Sequence, residues 1–223
     1  KSLGELEGHE GEIVNLDISA DGNRLISTAR DNTLRIWNLI TGLEMLRIER
    51  LWRSEAPVAL DPVNGILAVP TQSNDIQIVD VNSGELMAKL TGHDSIITSI
   101  AFDAPRDRVA TADEDGELRI WSIESGVVQS RSNTSAQSIN DMTFDTKGQL
   151  VITASNDGSI RKWDVREGTE RTDLRIPVNR PVLRILLSPD GKRIVSGLDD
   201  GSVRVWSMET GDELESLDGD GIA

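Results

Sequence analysis

Trp37, Trp121, Trp163 and Trp206 are spaced 84, 42 and 43 residues apart, and 84 is twice 42. The skipped position, residue 79, is a valine followed by Asp80. The chain is therefore one unit of about 42 residues written five times, with one copy eroded. A unit this short cannot bury an apolar face by itself. Successive copies must stack, each covering the next.

Every copy has the same internal order. A first strand carries Ile13, Leu16 and Ile18, or Ile97, Ile100 and Phe102, or Ile139, Met142 and Phe144, or Val182, Ile185 and Leu187. After a turn rich in Asp, Gly and Pro comes a second strand such as Arg24-Leu25-Ile26-Ser27. A tight turn follows, marked by Asp31-Asn32, Asp115-Gly116, Asp157-Gly158 or Asp200-Gly201. The third strand alternates, as in Leu34-Arg35-Ile36-Trp37, which predicts one buried and one polar face. Lys162 interrupts this pattern where other copies have Ile36, Ile78, Ile120 and Val205. Its ammonium is expected to snorkel to a sheet edge, with a buried functional lysine as the alternative. The fourth strand, for example residues 85–90, is more polar and suits an exposed outer edge.

His9 of a Gly8-His9 pair stands 28 residues before Trp37, and His93 of Gly92-His93 stands 28 before Trp121. Trp163-Asp164 is a literal Trp-Asp ending. With Ser or Thr, Asp and Trp aligned in four copies, the chain resembles the WD-repeat family over essentially its whole length. The resemblance implies an all-β fold, a β-propeller of four-stranded antiparallel blades. The repeats run over about 9–50, 51–92, 93–134, 135–176 and 177–219. Residues 1–8 read as the outer strand of a preceding blade, which leaves five copies and a spare strand. Three arrangements fit that count: part of a seven- or eight-bladed ring, an open arc that associates through its edges, or a closed five-bladed ring. The first is favoured, because the chain begins at Lys1 rather than Met.

The resemblance also implies a hydrogen-bonded chain of four polar groups inside a blade. By position it is complete in the first copy (His9, Ser27, Asp31, Trp37) and in the third (His93, Thr111, Asp115, Trp121). The fourth copy keeps Thr153, Asp157 and Trp163 but has Ser135 for the histidine; the fifth keeps Ser196, Asp200 and Trp206 but has Val178. The second copy has Leu51, Val69, Ser73 and Val79, and is expected to fold by packing, since losing all partners together can be nearly neutral.

The family's partner contacts often come from two sets of rim positions. Three and five residues after the histidine position, these include Glu12, Val14, Ile96, Thr98, Asn140 and Leu183. Directly before the turn Asp they are Arg30, Gln72, Glu114, Asn156 and Asp199. Trp52, beside Arg53 in the eroded copy, is a further candidate anchor, or a filler of the space the missing network leaves.

The net charge of −15 makes nucleic acid an unexpected partner, and no apolar run is long enough to span a bilayer. There is no cysteine, which fits the cytoplasm, and both histidines fall in the structural network. Asp218-Gly219-Asp220-Gly221 does not match the ligand order of a calcium loop. The expected function is a non-catalytic scaffold that binds other proteins or peptides through its upper rim, without cofactor or metal, and with self-association through open blade edges as a further option. Two alternatives are a regulatory module of a larger signalling ATPase or kinase, and an enzyme with carboxylates in an axial channel.

Overall fold

A computed structural model describes residues 5–19, 21–49, 57–61, 63–133 and 138–217. Five separate four-stranded antiparallel sheets account for every strand in it. The sheets are β1–β4 (Ile13–Ile18, Arg24–Ala29, Leu34–Asn38, Glu44–Ile48) and β5–β8 (Ala59–Asp61, Ile66–Pro70, Ile76–Asp80, Leu86–Leu90). Next come β9–β12 (Ile97–Asp103, Arg108–Asp113, Glu117–Ser122, Val128–Asn133) and β13–β16 (Ile139–Phe144, Leu150–Ser155, Ser159–Asp164, Ile176–Pro177). The last is β17–β20 (Val182–Leu187, Arg193–Leu198, Val203–Ser207, Glu213–Leu217). Each is one blade of the β-propeller pattern, one per repeat. No helix among the described residues is long and apolar enough to cross a membrane.

Two compact units divide the chain. The first holds the first two blades, and the second holds the last three. In the first unit, Ile26, Leu34 and Ile36 of blade 1 pack against Leu67, Val69 and Val81 of blade 2. Blade 2 thus folds by packing: Val69 and Val79 fill its centre where other blades place a hydroxyl and an indole. In the second unit, Ala110, Ala112, Leu118 and Ile120 of blade 3 meet Ile139, Met142 and Phe144 of blade 4. Ile152, Ala154 and Ile160 of blade 4 in turn meet Val182, Ile185 and Ile194 of blade 5. Within each unit the middle strands of one blade pack on the next blade.

The strand expected at residues 1–8 belongs to a preceding blade, which is not among the described residues; residues 5–8 are not in a strand. Gly8 lies so close to the Arg35 guanidinium that a Cβ would collide with it, and the same Cβ would press on the Trp37 ring at 3.2 Å. Two expectations are corrected by these contacts. Lys162 does not reach an edge. It is fully buried, and its Nζ donates to the Met208 carbonyl at 2.7 Å, so blade 5 supplies the polar partner that makes the trip to solvent unnecessary. Finally, the polar face of the third strand is not exposed: Arg35, Arg119 and Arg161 are buried. Arg35 and Arg119 lie over Trp37 and Trp121 at 5.8 and 5.7 Å, which shields their stems and adds a cation–π attraction.

Candidate functional site

The turn between the second and third strands of each blade carries both the polar network and the predicted rim. In blade 1, Trp37 Nε1 donates to Ser27 Oγ at 2.8 Å, and His9 Nε2 meets the same oxygen at 2.7 Å. His9 Nδ1 lies 2.9 Å from Asp31 Oδ2, which also accepts the Glu10 amide. Asp31 Oδ1 takes the Thr33 amide at 2.9 Å and its hydroxyl at 2.7 Å. Burial pushes the Asp31 carboxyl up, but the hydrogen bonds from Thr33, His9 and Glu10 together pull it far below its ordinary 3.8. Four residues thus tie two strands, the turn between them and the incoming chain into one network.

The indole-to-hydroxyl bond recurs at 2.8 Å in Trp121–Thr111, 3.0 Å in Trp163–Thr153 and 2.9 Å in Trp206–Ser196. The turn carboxylate follows it in blades 4 and 5. Asp157 accepts the Ser159 amide and hydroxyl, and Asp200 those of Ser202. Val178 of blade 5 replaces the histidine by apolar burial.

Blade 3 differs. Asp115 is exposed on the turn, while Asp113, two residues earlier, is buried and takes the Glu117 amide at 2.8 Å. The cause is Glu117, which stands where blades 1, 4 and 5 have Thr33, Ser159 and Ser202. It has no hydroxyl to donate to Asp115. In blade 2 the carboxylate slides the other way: Asp75 receives Ser73 Oγ at 2.8 Å and Lys89 Nζ at 2.7 Å, the lysine being the main reason its carboxyl titrates below the ordinary range.

In the second unit Asp113 and Glu117 are neighbouring acids at the facing ends of β10 and β11. Glu117 is already held by Arg119 at 2.9 Å and Arg131 at 3.1 Å. Two guanidiniums supply the charge that a metal ion would bring and would repel one. The donor set reads as a structural network.

Around this network the two predicted rim sets are joined by one repeated backbone bond. The amide of Arg30 donates to the carbonyl of Glu12, Glu114 to Ile96, Asn156 to Ser138, and Asp199 to Pro181, at 2.9 to 3.3 Å. In the first unit Glu12 and Arg30 pair at 3.3 Å, both well exposed, near the partly exposed Val14; Gln72 is exposed on the corresponding turn of blade 2. In the second unit Glu114, Asn156, Asp199 and Leu183 point to solvent, and Ile96 is half-buried. Arg180 bridges Asp199 and Asp200 at 3.4 and 3.0 Å. Two candidates are tied up internally. Asn140 Nδ2 donates to Asn156 Oδ1 and to the Val182 carbonyl of the next blade, and Thr98 Oγ1 donates to the Ala112 carbonyl. Trp52, Leu51, Ser135, residues 1–4 and Asp218–Gly221 lie outside the described residues.

The buried arginines escaped the sequence reading, although the signal was present. Arg recurs two places before Trp in four copies, and each has an acid in reach: Arg35–Glu44 at 2.6 Å, Arg119–Glu117 at 2.9 Å, Arg161–Asp157, and Arg204–Glu213 at 3.5 Å.

Comparison with known proteins places this geometry among WD-repeat propellers. Residues 18–222 match the family model described as nucleolar protein 10-like, N-terminal domain. The DENN domain and WD repeat-containing protein SCD1 of Arabidopsis thaliana is 31% identical over 98 residues, 44% of this chain and 8% of that protein. Nuclear distribution protein nudF of Emericella nidulans is 30% identical over 104 residues, covering 45% of this chain and 23% of that protein. The chain therefore spans less than a quarter of these relatives' lengths. The crystal structure of the computationally designed Ika8 protein superposes with a TM-score of 0.81 at 24% identity, over 97% of this chain and 65% of that one.

Proposed function

We propose, starting from the family to which this chain belongs, the propeller N-terminal domain of nucleolar protein 10-like proteins, that it is a non-catalytic module binding other proteins or peptides on its turn rim. The observation that carries this reading is the backbone bond repeated in four blades. It fixes the turn beside the start of the inner strand, so the side chains at its tip project from a rigid base. Rigid loops on a packed scaffold suit recognition, because little order is lost on binding. In the second unit the tips offer Glu114, Asp199 and Asn156 beside Leu183. That chemistry fits a segment with basic and apolar side chains.

Both histidines support a non-catalytic role. His9 is held by Ser27 and Asp31, and His93 is buried. The acidic surface disfavours nucleic acid, and the lack of cysteine fits the cytoplasm; a fluorescent fusion found only elsewhere would overturn that location. The binding test is capture of partners by the wild-type chain and by Arg30→Glu and Glu114→Lys, both exposed and outside the core. Loss of the same captured proteins with either variant, at unchanged melting temperature, is the expected result. Equal capture by all three chains would refute the rim assignment.

A further inference from the structure

Blade 4 breaks its outer strand where the other blades keep theirs. In blade 3, β12 pairs with β11 continuously from Glu117–Asn133 to Trp121–Val128. The corresponding segment of blade 4 meets β15 only at its ends, at Trp163–Glu170 and at Ile160–Ile176 and Ser159–Pro177. The cause is length. Ile176 stands 13 residues after Trp163, whereas its counterparts Ile48, Leu90, Ser132 and Leu217 stand 11 after Trp37, Val79, Trp121 and Trp206. The extra residues leave the sheet as a single 3-10 turn, Thr172–Leu174. Bulges of this kind re-aim the side chains beside them.

The break lies along a cleft of about 570 Å³ whose other wall is β12; Arg131, Asn133, Arg161, Thr169, Glu170 and Arg175 line it. Both walls belong to interior members of the run of five blades, and the cleft is built wholly within the second unit. Its base is fixed, because Ser130 Oγ donates to the Val165 carbonyl at 2.7 Å and Ser132 Oγ donates to that of Gly168. The bulge withdraws Arg175 from its acids. At the same outer-strand position Lys89 reaches Asp75 at 2.7 Å and Arg131 reaches Glu117 at 3.1 Å. Arg175 stays 3.8 Å from both Asp157 and Glu170, beyond hydrogen-bond range. Arg161 is held by Asp157. Glu170 Oε1 is buried and accepts no hydrogen bond among the described residues; Arg161 and Arg175 lie 3.7 and 3.8 Å from it. A guanidinium with donors to offer and a buried acceptor therefore border one cavity.

We infer that this cleft is a binding site for an acidic peptide segment of a partner protein, whose carboxylate or phosphate group is held by Arg175 and Arg131 and whose neighbouring N–H or O–H donates to Glu170. Guanidiniums take such anions through paired N–H donors. Arg131 meets Glu117 through Nε and is mostly exposed, so its terminal amino groups can turn to a ligand. The chain as a whole carries −15, so an acidic segment is repelled from most of its surface and directed to this local pair of cations. Glu170 opposes the anion but supplies the acceptor that a peptide amide or a side-chain hydroxyl needs when it leaves water. An open, polar cleft suits an extended segment rather than a small cofactor, which needs most of its surface buried. The rim reading calls for a basic segment at the turn tips, so the two sites select opposite charges and are tested separately.

The test is fluorescence anisotropy of labelled octapeptides with the purified 223-residue chain at low ionic strength. One peptide alternates glutamate and serine, a second carries one phosphoserine in the same sequence, and a third has lysine in place of glutamate. The variants are Arg131→Gln, Arg175→Gln and Glu170→Gln; both arginines are exposed, and melting temperature checks that each variant folds. The wild type is expected to bind the acidic peptides and not the lysine peptide. Either arginine variant should weaken that binding at least about tenfold. Glu170→Gln keeps an acceptor and removes a like charge, so it should tighten the binding. Preference for the phosphorylated peptide would identify the anion as phosphate, and equal binding would identify it as carboxylate; both support the site. Arg30→Glu, which tests the rim, should leave this binding unchanged. No binding of either acidic peptide at about 1 mM, equal affinity in the wild type and both arginine variants, or preference for the lysine peptide would overturn the inference.

Discussion

Asp113→Ala and Asp115→Ala separate the observed network from the one that repeat alignment implies. Asp113 is 1% exposed and accepts the Glu117 amide at 2.8 Å. Its removal deletes a charge-assisted bond in a buried setting, at about 1.5–3 kcal/mol. That loss corresponds to a fall in melting temperature of roughly 3–12 °C for a chain of this size. Asp115 is exposed on the turn, and its loss is expected to stay within about 0.5 kcal/mol. Thermal and urea unfolding followed by circular dichroism at neutral pH would measure both. A rescue sharpens the comparison: Glu117→Ser restores the hydroxyl that fixes Asp157 and Asp200, so adding it to Asp113→Ala should return the role to Asp115 and recover part of the loss. Equal losses from the two alanine variants, or a larger one from Asp115→Ala, would refute the reasoning.

Acid supplies a second test. The Asp31 carboxyl is held below its ordinary 3.8, so its contribution is fully present above that pH and is lost as pH falls through the lowered value. Stability should therefore drop below about pH 4, and less steeply in Asp31→Asn, as read from melting temperatures across the acid range. Lys162→Ala should cost roughly 2–4 kcal/mol, through a cavity and a Met208 carbonyl without its donor. Lys162→Met, which fills the same space and removes a buried ammonium, should cost less than half as much; equal losses in urea unfolding would contradict this. Arg35→Lys should destabilise by about 1 kcal/mol, because an ammonium keeps the charge near Glu44 but loses the planar stacking on Trp37; a double-mutant cycle with Trp37→Phe would show whether the two are coupled.

The architecture was legible because the period and the turn chemistry are local. Trp at a fixed place, Asp-Gly turns and alternating strands determine five sheets without knowledge of any contact between them. The details that escaped depend on what lies opposite. Asp115 aligns perfectly with Asp31, yet the hydroxyl two positions on decides which carboxylate turns inward, and blade 3 lacks it. Arg35 looks like an exposed residue in an alternating strand until the indole two places on and Glu44 on the next strand are considered together. Lys162 was expected at an edge because its acceptor, the Met208 carbonyl, is 46 residues away in sequence. The rim positions came from resemblance alone. The structure joins them through backbone bonds, and also shows that Asn140 and Thr98 spend their side chains on the scaffold.

Hydrogen–deuterium exchange of the chain alone and with a captured partner tests the rim assignment most directly. The account expects new protection at the turns around Glu114, Asn156 and Asp199 and at the start of β17 near Leu183. Protection confined to the outer strands β12 and β20, with those turns unchanged, would contradict it.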